Sequence, residues 1–365
     1  MRIALLGDIA LFGCNTAADG TYRSRMAAVK EVLDCCDYVV GNLETPLTDA
    51  TKSIGGKSAY IKGLPENAEI LQWLGVTHVS LANNHMFDYR AQGLDDTINT
   101  LDAYGIHWYG ANGKSEYIEN VDGRVSLRGY CCYSTNGKGM SDKAPCVDVL
   151  DPLVVETDLN DDRKEGRFPI LSMHWGQEHV HYPNYDHVML ARRLAHSRQL
   201  VIHGHHPHVL QGLEEPEGSL IAYSLGNFCF ADVYTSKSDK PLVKLSEENR
   251  ETCILVLSVE GTTLNDFQAI PFSFHDDVYC YDQKVWHKLR MYSALLEKDE
   301  QSFRSERSAE LNNYLISRKK LRNLNWYIKR MNLESARMLI AERQNKKAYN
   351  RMIMGYLADQ ALLRD

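Results

Sequence analysis

Five short apolar runs in this chain each stop at a side chain of metal-ligand type, and that recurrence limits the fold more than any other feature. Ile3 to Leu6 leads to Gly7-Asp8, Tyr38-Val39-Val40 to Gly41-Asn42-Leu43-Glu44, and His78 to Leu81 to Asn83-Asn84-His85. Ile170 to Met173 runs into His174, and Leu200-Val201-Ile202 runs into His203-Gly204-His205-His206-Pro207-His208. Short apolar runs closed by turn residues read as buried strands. Between them the spacing turns helical. Tyr22, Met26, Val29 and Leu33 predict a helix over 22–36, Asn67 to Leu74 a short one, Leu94, Ile98 and Leu101 a third, and Val188 to Ala195 a fourth. The resulting β-α-β-α-β-α alternation belongs to a parallel sheet covered by helices. Parallel strands bring their carboxyl ends to one side, so ligands at those ends converge on one crevice.

The middle of the chain is less regular. Val125 to Leu127 and Tyr130 to Tyr133 read as strands, Ser134 to Ser141 as a glycine-containing loop, and Asn160 to Glu165 as a solvated stretch. Residues 49–58 read as a mobile polar loop, Leu220 to Leu225 as a strand ending at Gly226-Asn227, and Cys253 to Val259 as a late strand. Charge then divides the chain. Residues 283–365 carry 18 Lys and Arg against 9 Asp and Glu, whereas the remainder carries 23 against 39, for a net charge of −7 overall. That break predicts domains at 1–282 and 283–365, the second a basic helical module with stretches around 333–345 and 347–362 and an apolar stripe through Tyr314, Leu321, Leu324, Ile328 and Met331. Nine cysteines include the adjacent pairs Cys35-Cys36 and Cys131-Cys132 and no CxxC, which suits reduced thiols and a cytoplasmic location. No apolar run is long enough for a membrane span.

Asp8, Glu44, Asn84, His174, His206 and His208 together offer two carboxylates, one amide carbonyl and three imidazoles. Divalent ions that activate water need such donors and an open position. Glu44, on the strand beside Asp8, is the natural bridge between two ions. His85 follows the amide ligand and is expected to point the other way, towards substrate, as a proton donor to a leaving alkoxide or a positive charge facing a phosphoryl oxygen, with Asp88 placed to orient its ring. Each residue alone has a plainer explanation. Asp8 is a turn former, Asn84 part of an Asn-Asn turn, His174 a half-buried histidine, and Glu44 a loop residue. The His206-Pro207-His208 spacing after a strand is by itself as consistent with a metal as with a turn, and for the others it is their coincidence at strand ends that favours a metal site. Glu178 is a candidate partner for a ligand histidine, and His205, within the histidine cluster, for substrate or ligand support. Lys62 reads first as a surface lysine and otherwise as a contact for phosphate or carboxylate. His179 and His181 read as surface histidines.

Taken in order, Gly7-Asp8, Asn42-Leu43-Glu44, Leu81-Ala82-Asn83-Asn84-His85 with Asp88, His174-Trp175-Gly176-Gln177-Glu178, Gly204-His205-His206-Pro207-His208-Val209 and Tyr223-Ser224-Leu225-Gly226-Asn227-Phe228 resemble the motifs of the CapA family. That family is associated with poly-γ-glutamate capsule synthesis and is similar to the calcineurin-like metallophosphoesterases. The resemblance covers about residues 1–232 and implies a four-layer α/β/β/α metallophosphoesterase-like sandwich, here with a C-terminal helical extension. It implies a two-metal site with the six ligands above, His85 as catalytic histidine and Asn227 lining the site. The sequence departs from the wider superfamily twice. Ala10 stands where an Asp-x-His motif has its histidine, so one ion is expected to be weakly held or differently ligated, and Glu44 stands where an aspartate is usual.

The expected function is a metal-dependent phosphoesterase in capsule, exopolysaccharide or poly-γ-glutamate synthesis, with metal-bound hydroxide attacking the phosphoester and a pair of Mn, Zn or Fe ions as cofactor. The alternative is a non-hydrolytic metal-binding accessory protein in polymer synthesis. A third reading is nuclease-like, with the basic C-terminal module holding an anionic polymer. The expected partners are an anionic small-molecule or polymer substrate and capsule-synthesis proteins. No RNA-module or aromatic signature points to nucleic acid, and nothing in the sequence sets an oligomeric state.

Overall fold

The computed structural model describes residues 1–365 except 19, 55, 56, 58, 136–142, 197, 236, 237, 321–332 and 360–365. In chain order the elements are β1 (Arg2–Ile9), α1 (Tyr22–Arg25), α2 (Ala27–Leu33), β2 (Tyr38–Leu43), α3 (Ala68–Leu74), β3 (His78–Ser80), α4 (Arg90–Ala103), β4 (His107–Tyr109), β5 (Glu116–Asn120), β6 (Gly123–Cys131), α5 (Pro152–Lys164), β7 (Phe168–His174), α6 (Tyr185–Ala195) and β8 (Val201–His205). There follow β9 (Leu213–Glu214), β10 (Leu220–Ala222), β11 (Asn227–Cys229), β12 (Val233–Thr235), β13 (Ser238–Val243), β14 (Glu251–Glu260), β15 (Thr263–His275), β16 (Val278–Tyr281), α7 (Gln283–Leu295), α8 (Glu300–Lys320) and α9 (Leu333–Asp359).

The central strands β1, β2, β7 and β8 are buried along almost their whole length, because both of their faces are covered. Successive residues of a strand face opposite ways, and here they join different cores. Ile3 and Leu5 pack with Val40, Leu127, Ile170, Val201 and Leu255 between two sheets, while Ala4 and Leu6 pack with Val29, Leu71 and Leu94 from the helices. On the second sheet Leu171, Met173 and Ile202 face outward onto Val188, Leu190 and Leu194 of α6. The layers are therefore helix, sheet, sheet, helix, as expected. The first sheet has the order β16-β15-β14-β1-β2-β3-β4 with β11 also against β1, and the second β5-β6-β7-β8-β10-β9. β1 to β4 run parallel in the first sheet, and β6, β7, β8 and β10 in the second. α8 and α9 join the outer core of the second sheet through Phe303, Tyr349, Ile353 and Tyr356. No helix among the described residues is long and apolar enough to cross a membrane.

Several local expectations need correcting. β1 does not turn at Gly7 but continues to Ile9, because Asp8 N donates to Gly226 O and Ala10 N to Cys229 O, adding β11 at its side. The helix over 22–36 breaks at Met26 (φ −108°, ψ 12°) into α1 and α2. Residues 160–165 are solvent-exposed as expected except Asp162, but 160–164 form the last turns of α5, and Asp162 is fully buried. There Arg128 grips it with Nε at 2.7 Å and Nη2 at 2.8 Å, and Ser126 Oγ donates to it as well. A charged residue inside a helix looks exposed until its partner strand is known. The two expected C-terminal stretches are one helix, α9, up to Asp359, and Leu321, Leu324, Ile328 and Met331 lie outside the described residues, as does most of the Ser134 to Ser141 loop.

Candidate metal centre

The parallel strands of both sheets end on one side, and the ligand-type residues collect there. Asp8 pairs in register with Asn42 of β2 and with Asn227 of β11, and His174 of β7 pairs with His205 of β8. Glycines let the backbones approach this closely. A Cβ on Gly7 would lie 2.2 Å from Gly226 O, and one on Gly204 2.0 Å from Tyr223 O, so no other residue fits either motif position. Beyond β8 the chain turns through His206 (φ +96°) and His208 (φ +57°), left-handed conformations that cost non-glycine residues free energy. The strain turns both imidazoles back over the strand ends.

At the centre stands Glu44. It is fully buried, and neither carboxylate oxygen has a hydrogen-bond partner among the described residues. Around its Oε1 lie His208 Nε2 at 3.7 Å, His174 Nε2 at 3.8 Å and His85 Nε2 at 4.0 Å. Two triads share it: Glu44 with His174 and His206, and Glu44 with Asp8 and His208, the ligand atoms of each lying within 4.8 Å of one another. Asn84 Oδ1 sits 3.0 Å from His174 Nε2, at the edge of the first triad. A buried carboxylate without a donor among the described residues, between imidazoles at these separations, is a donor set that could hold a divalent ion, and the residues fit such ions.

The electrostatics support this. Burial pushes the Glu44 carboxyl up to about 8. Burial likewise opposes ionisation of Asp8, but His205, His208 and His174 outweigh it and hold Asp8 below the usual carboxylate range. Burial depresses His206 to about 3, and burial with the neighbouring His206 holds His174 far below its ordinary value. Burial would depress His208 too, yet Glu44, Asp8 and Glu178 raise it. Neutral imidazoles are what metals bind.

His85 is held at its other nitrogen. Nδ1 is 2.7 Å from Asp88 Oδ2, which leaves Nε2 directed at the Glu44 cluster. Asp88 also accepts from Ile61 N at 3.0 Å and from Lys57 Nζ at 2.6 Å. Lys57 escaped the sequence reading, which named Lys62 instead. Lys62 Nζ donates to Ala50 O and lies over the Tyr89 ring, away from the cluster, whereas Lys57 also donates to Asn84 O and sits 3.4 Å from His85 Nδ1. Asn42 was missed as well. Its Nδ2 donates to Asp8 Oδ1 at 2.8 Å and lies 3.4 Å from His174 Nδ1. Lys57 falls in a polar loop without periodicity, so no pattern singles it out, while Asn42 was quoted in a motif but given no part in the site. Of the supporting candidates, His205 Nδ1 lies 3.1 Å from Asp8 Oδ1, and Asn227 Oδ1 is 2.9 Å from His208 Nδ1. Glu178 is at the rim, 34% exposed. His179 and His181 are half-buried rather than free on the surface: His179 Nδ1 is 3.0 Å from Asn249 Nδ2, and His181 stacks on Tyr292.

The family model described as "Bacterial capsule synthesis protein PGA_cap" matches residues 2–232. The chain is 31% identical over 256 residues to the PGA biosynthesis protein CapA of Bacillus subtilis (strain 168), covering 68% of this chain and 64% of that protein. It is 28% identical over 210 residues to a Mycobacterium tuberculosis protein named as a polyglutamine synthesis accessory protein, covering 52% of this chain and 55% of that one. The chain thus spans less than two thirds of the length of either relative. Among solved structures it is similar to the calcineurin-like phosphoesterase YfkN of Bacillus subtilis, with a TM-score of 0.42 at 14% identity over 82% of this chain and 99% of that one. With the family model matching well over half of its length, the chain belongs to the bacterial capsule synthesis protein family PGA_cap.

Proposed function

We propose that this chain is a metal-dependent phosphoester hydrolase serving capsule or poly-γ-glutamate synthesis. The observation that carries the reading is Glu44, buried with both oxygens unpartnered among the described residues and common to two histidine-containing triads. In this reading Asp8, Glu44 and His208 would hold one divalent ion, and Glu44, Asn84, His174 and His206 would hold another. Such ions would supply Lewis acidity and make water a better nucleophile. The mixed carboxylate, amide and imidazole set suits Mn, Zn or Fe. His85 then carries a proton at Nε2 to the leaving oxygen, its ring held by Asp88 at Nδ1. Burial first, and then the Lys57 charge, make that imidazolium a stronger acid than usual. Asn42 and Asn227 fix the orientation of Asp8 and His208.

The test is a metal count by mass spectrometry on protein purified without chelator or His-tag, beside His206→Ala and His85→Asn, followed by a phosphoester panel. The expected result is about two ions in the wild type, fewer in His206→Ala, and in His85→Asn full metal with turnover down by roughly 10²–10⁴-fold. No ion after added Mn or Zn would sink the hydrolase reading.

A second reading, a metal-binding accessory without turnover, is favoured by Ala10, a buried methyl group where the wider superfamily has a histidine. One relative is itself named an accessory protein. Copurification with a polymer synthase, with metal bound and the whole panel inert, would select it.

A further inference from the structure

Helix α8 lies outside the residues matched by the family model, yet it is docked on the loop that follows His174. Glu310 accepts from His181 N at 2.9 Å and from Tyr182 N at 3.2 Å. Phe303 packs edge-on against the Tyr182 ring at 5.3 Å. One turn on from Glu310, the Tyr314 ring stands 5.4 Å from His179, whose own ring is 6.2 Å from His208. One further turn brings Arg318, whose Nη1 donates to Tyr314 Oη at 2.8 Å and lies 3.5 Å from Glu178 Oε2. Glu310, Tyr314 and Arg318 recur every four residues, so a single face of α8 meets this loop. Glu178 in turn lies within the electrostatic reach of His206 and His208. The helix thus carries a cation to the rim of the Glu44 cluster.

That cation is only partly engaged. Arg318 is 38% exposed at its side chain, and its Nε and Nη2 donate to nothing among the described residues. It already faces a carboxylate, Glu178, at ion-pair distance without a hydrogen bond. A guanidinium fork binds a planar carboxylate most strongly through two parallel N–H bonds. We propose that Arg318 is a specificity-determining residue of this site, taking a carboxylate of the substrate in place of Glu178 while a phosphoester lies over the Glu44 cluster. The inference rests on the proposed phosphoester reading and adds the substrate class, a phosphoester that carries a second, carboxylate anion.

Three probes differ only at that second group: phenyl phosphate, 4-carboxyphenyl phosphate and the neutral 4-carbamoylphenyl phosphate. Calorimetric titration of each into the Mn-supplemented full chain measures the carboxylate's advantage, with metal content counted on the same samples. A charge-assisted pair predicts about a 10- to 100-fold preference for the carboxylated ester over the amide. Arg318→Ala is expected to abolish the preference with metal content unchanged, and Arg318→Lys to keep part of it. Equal affinities in the wild type, or a preference that survives Arg318→Ala, overturns the assignment. Metal bound with no preference overturns Arg318 alone. Absence of metal overturns the hydrolase reading, whatever the titrations show.

Discussion

Replacing Glu44 by glutamine gives two results of opposite sign, depending on whether metal is present. Without metal, the folded protein holds Glu44 protonated up to about 8, against 4.5 for an ordinary glutamate. A folded pKa raised in this way favours folding fully below the unfolded value, and the benefit is lost as pH rises through the folded value. At pH 7 the mismatch amounts to about 3 kcal/mol, at about 1.4 kcal/mol per unit. The Glu44→Gln side chain keeps the shape and never ionises in the unfolded chain. In chelator at pH 7 the variant is therefore expected to be the more stable protein, by up to about 3 kcal/mol. The wild type should lose about 2 kcal/mol between pH 6.5 and 8, and Glu44→Gln should stay nearly flat. The window matters, because His206 and His174 are depressed and make stability rise with pH below about 6.5. Adding Mn or Zn reverses the order, since the ion replaces the proton on Glu44 and stabilises the wild type with a pH dependence of the opposite sign. Urea denaturation at pH 6.5 and 8, with EDTA or with Mn, measures all four terms. A Glu44→Gln variant less stable than wild type in EDTA would mean that the carboxylate has a partner and that the reasoning fails. Equal stabilisation of both proteins by metal would remove Glu44 from the ligand set.

Lys57→Met removes a positive charge beside His85, so the His85 pKa rises and the alkaline limb of a pH–rate profile moves to higher pH; an unmoved limb would separate Lys57 from His85. Asp162→Ala takes from the buried Arg128 guanidinium the carboxylate it grips with two N–H groups, leaving Asp158 at 3.1 Å as its remaining ion pair, and is expected to destabilise by about 1–3 kcal/mol in urea titration. Phe303→Ala opens the core under α8 and should cost about 3–5 kcal/mol, with a loss below about 1 kcal/mol showing that α8 is dispensable to the fold.

The strand-end ligands were legible because three local signals coincide at each: a short apolar run, a glycine or turn, and a metal-type side chain. Gly7 and Gly204 show why the motif carries information, since a Cβ at either would overlap a neighbouring strand. Other features left no local trace. Asp162 looked solvated because its partner, Arg128, lies on β6, far away in the sequence, and α5 was lost with it. β15 reads poorly because much of its outer half is half-buried or exposed.

The sequence by itself determined the layered α/β class and which side chains gather at the strand ends, because strand periodicity and turn chemistry are local properties. Only the tertiary structure decided that Glu44 lacks a donor among the described residues, that Lys57 rather than Lys62 reaches His85, and that Arg318 stands at the rim. Those facts depend on distances between segments far apart in the chain, which are set by how two sheets and their helices pack and by no short stretch of residues.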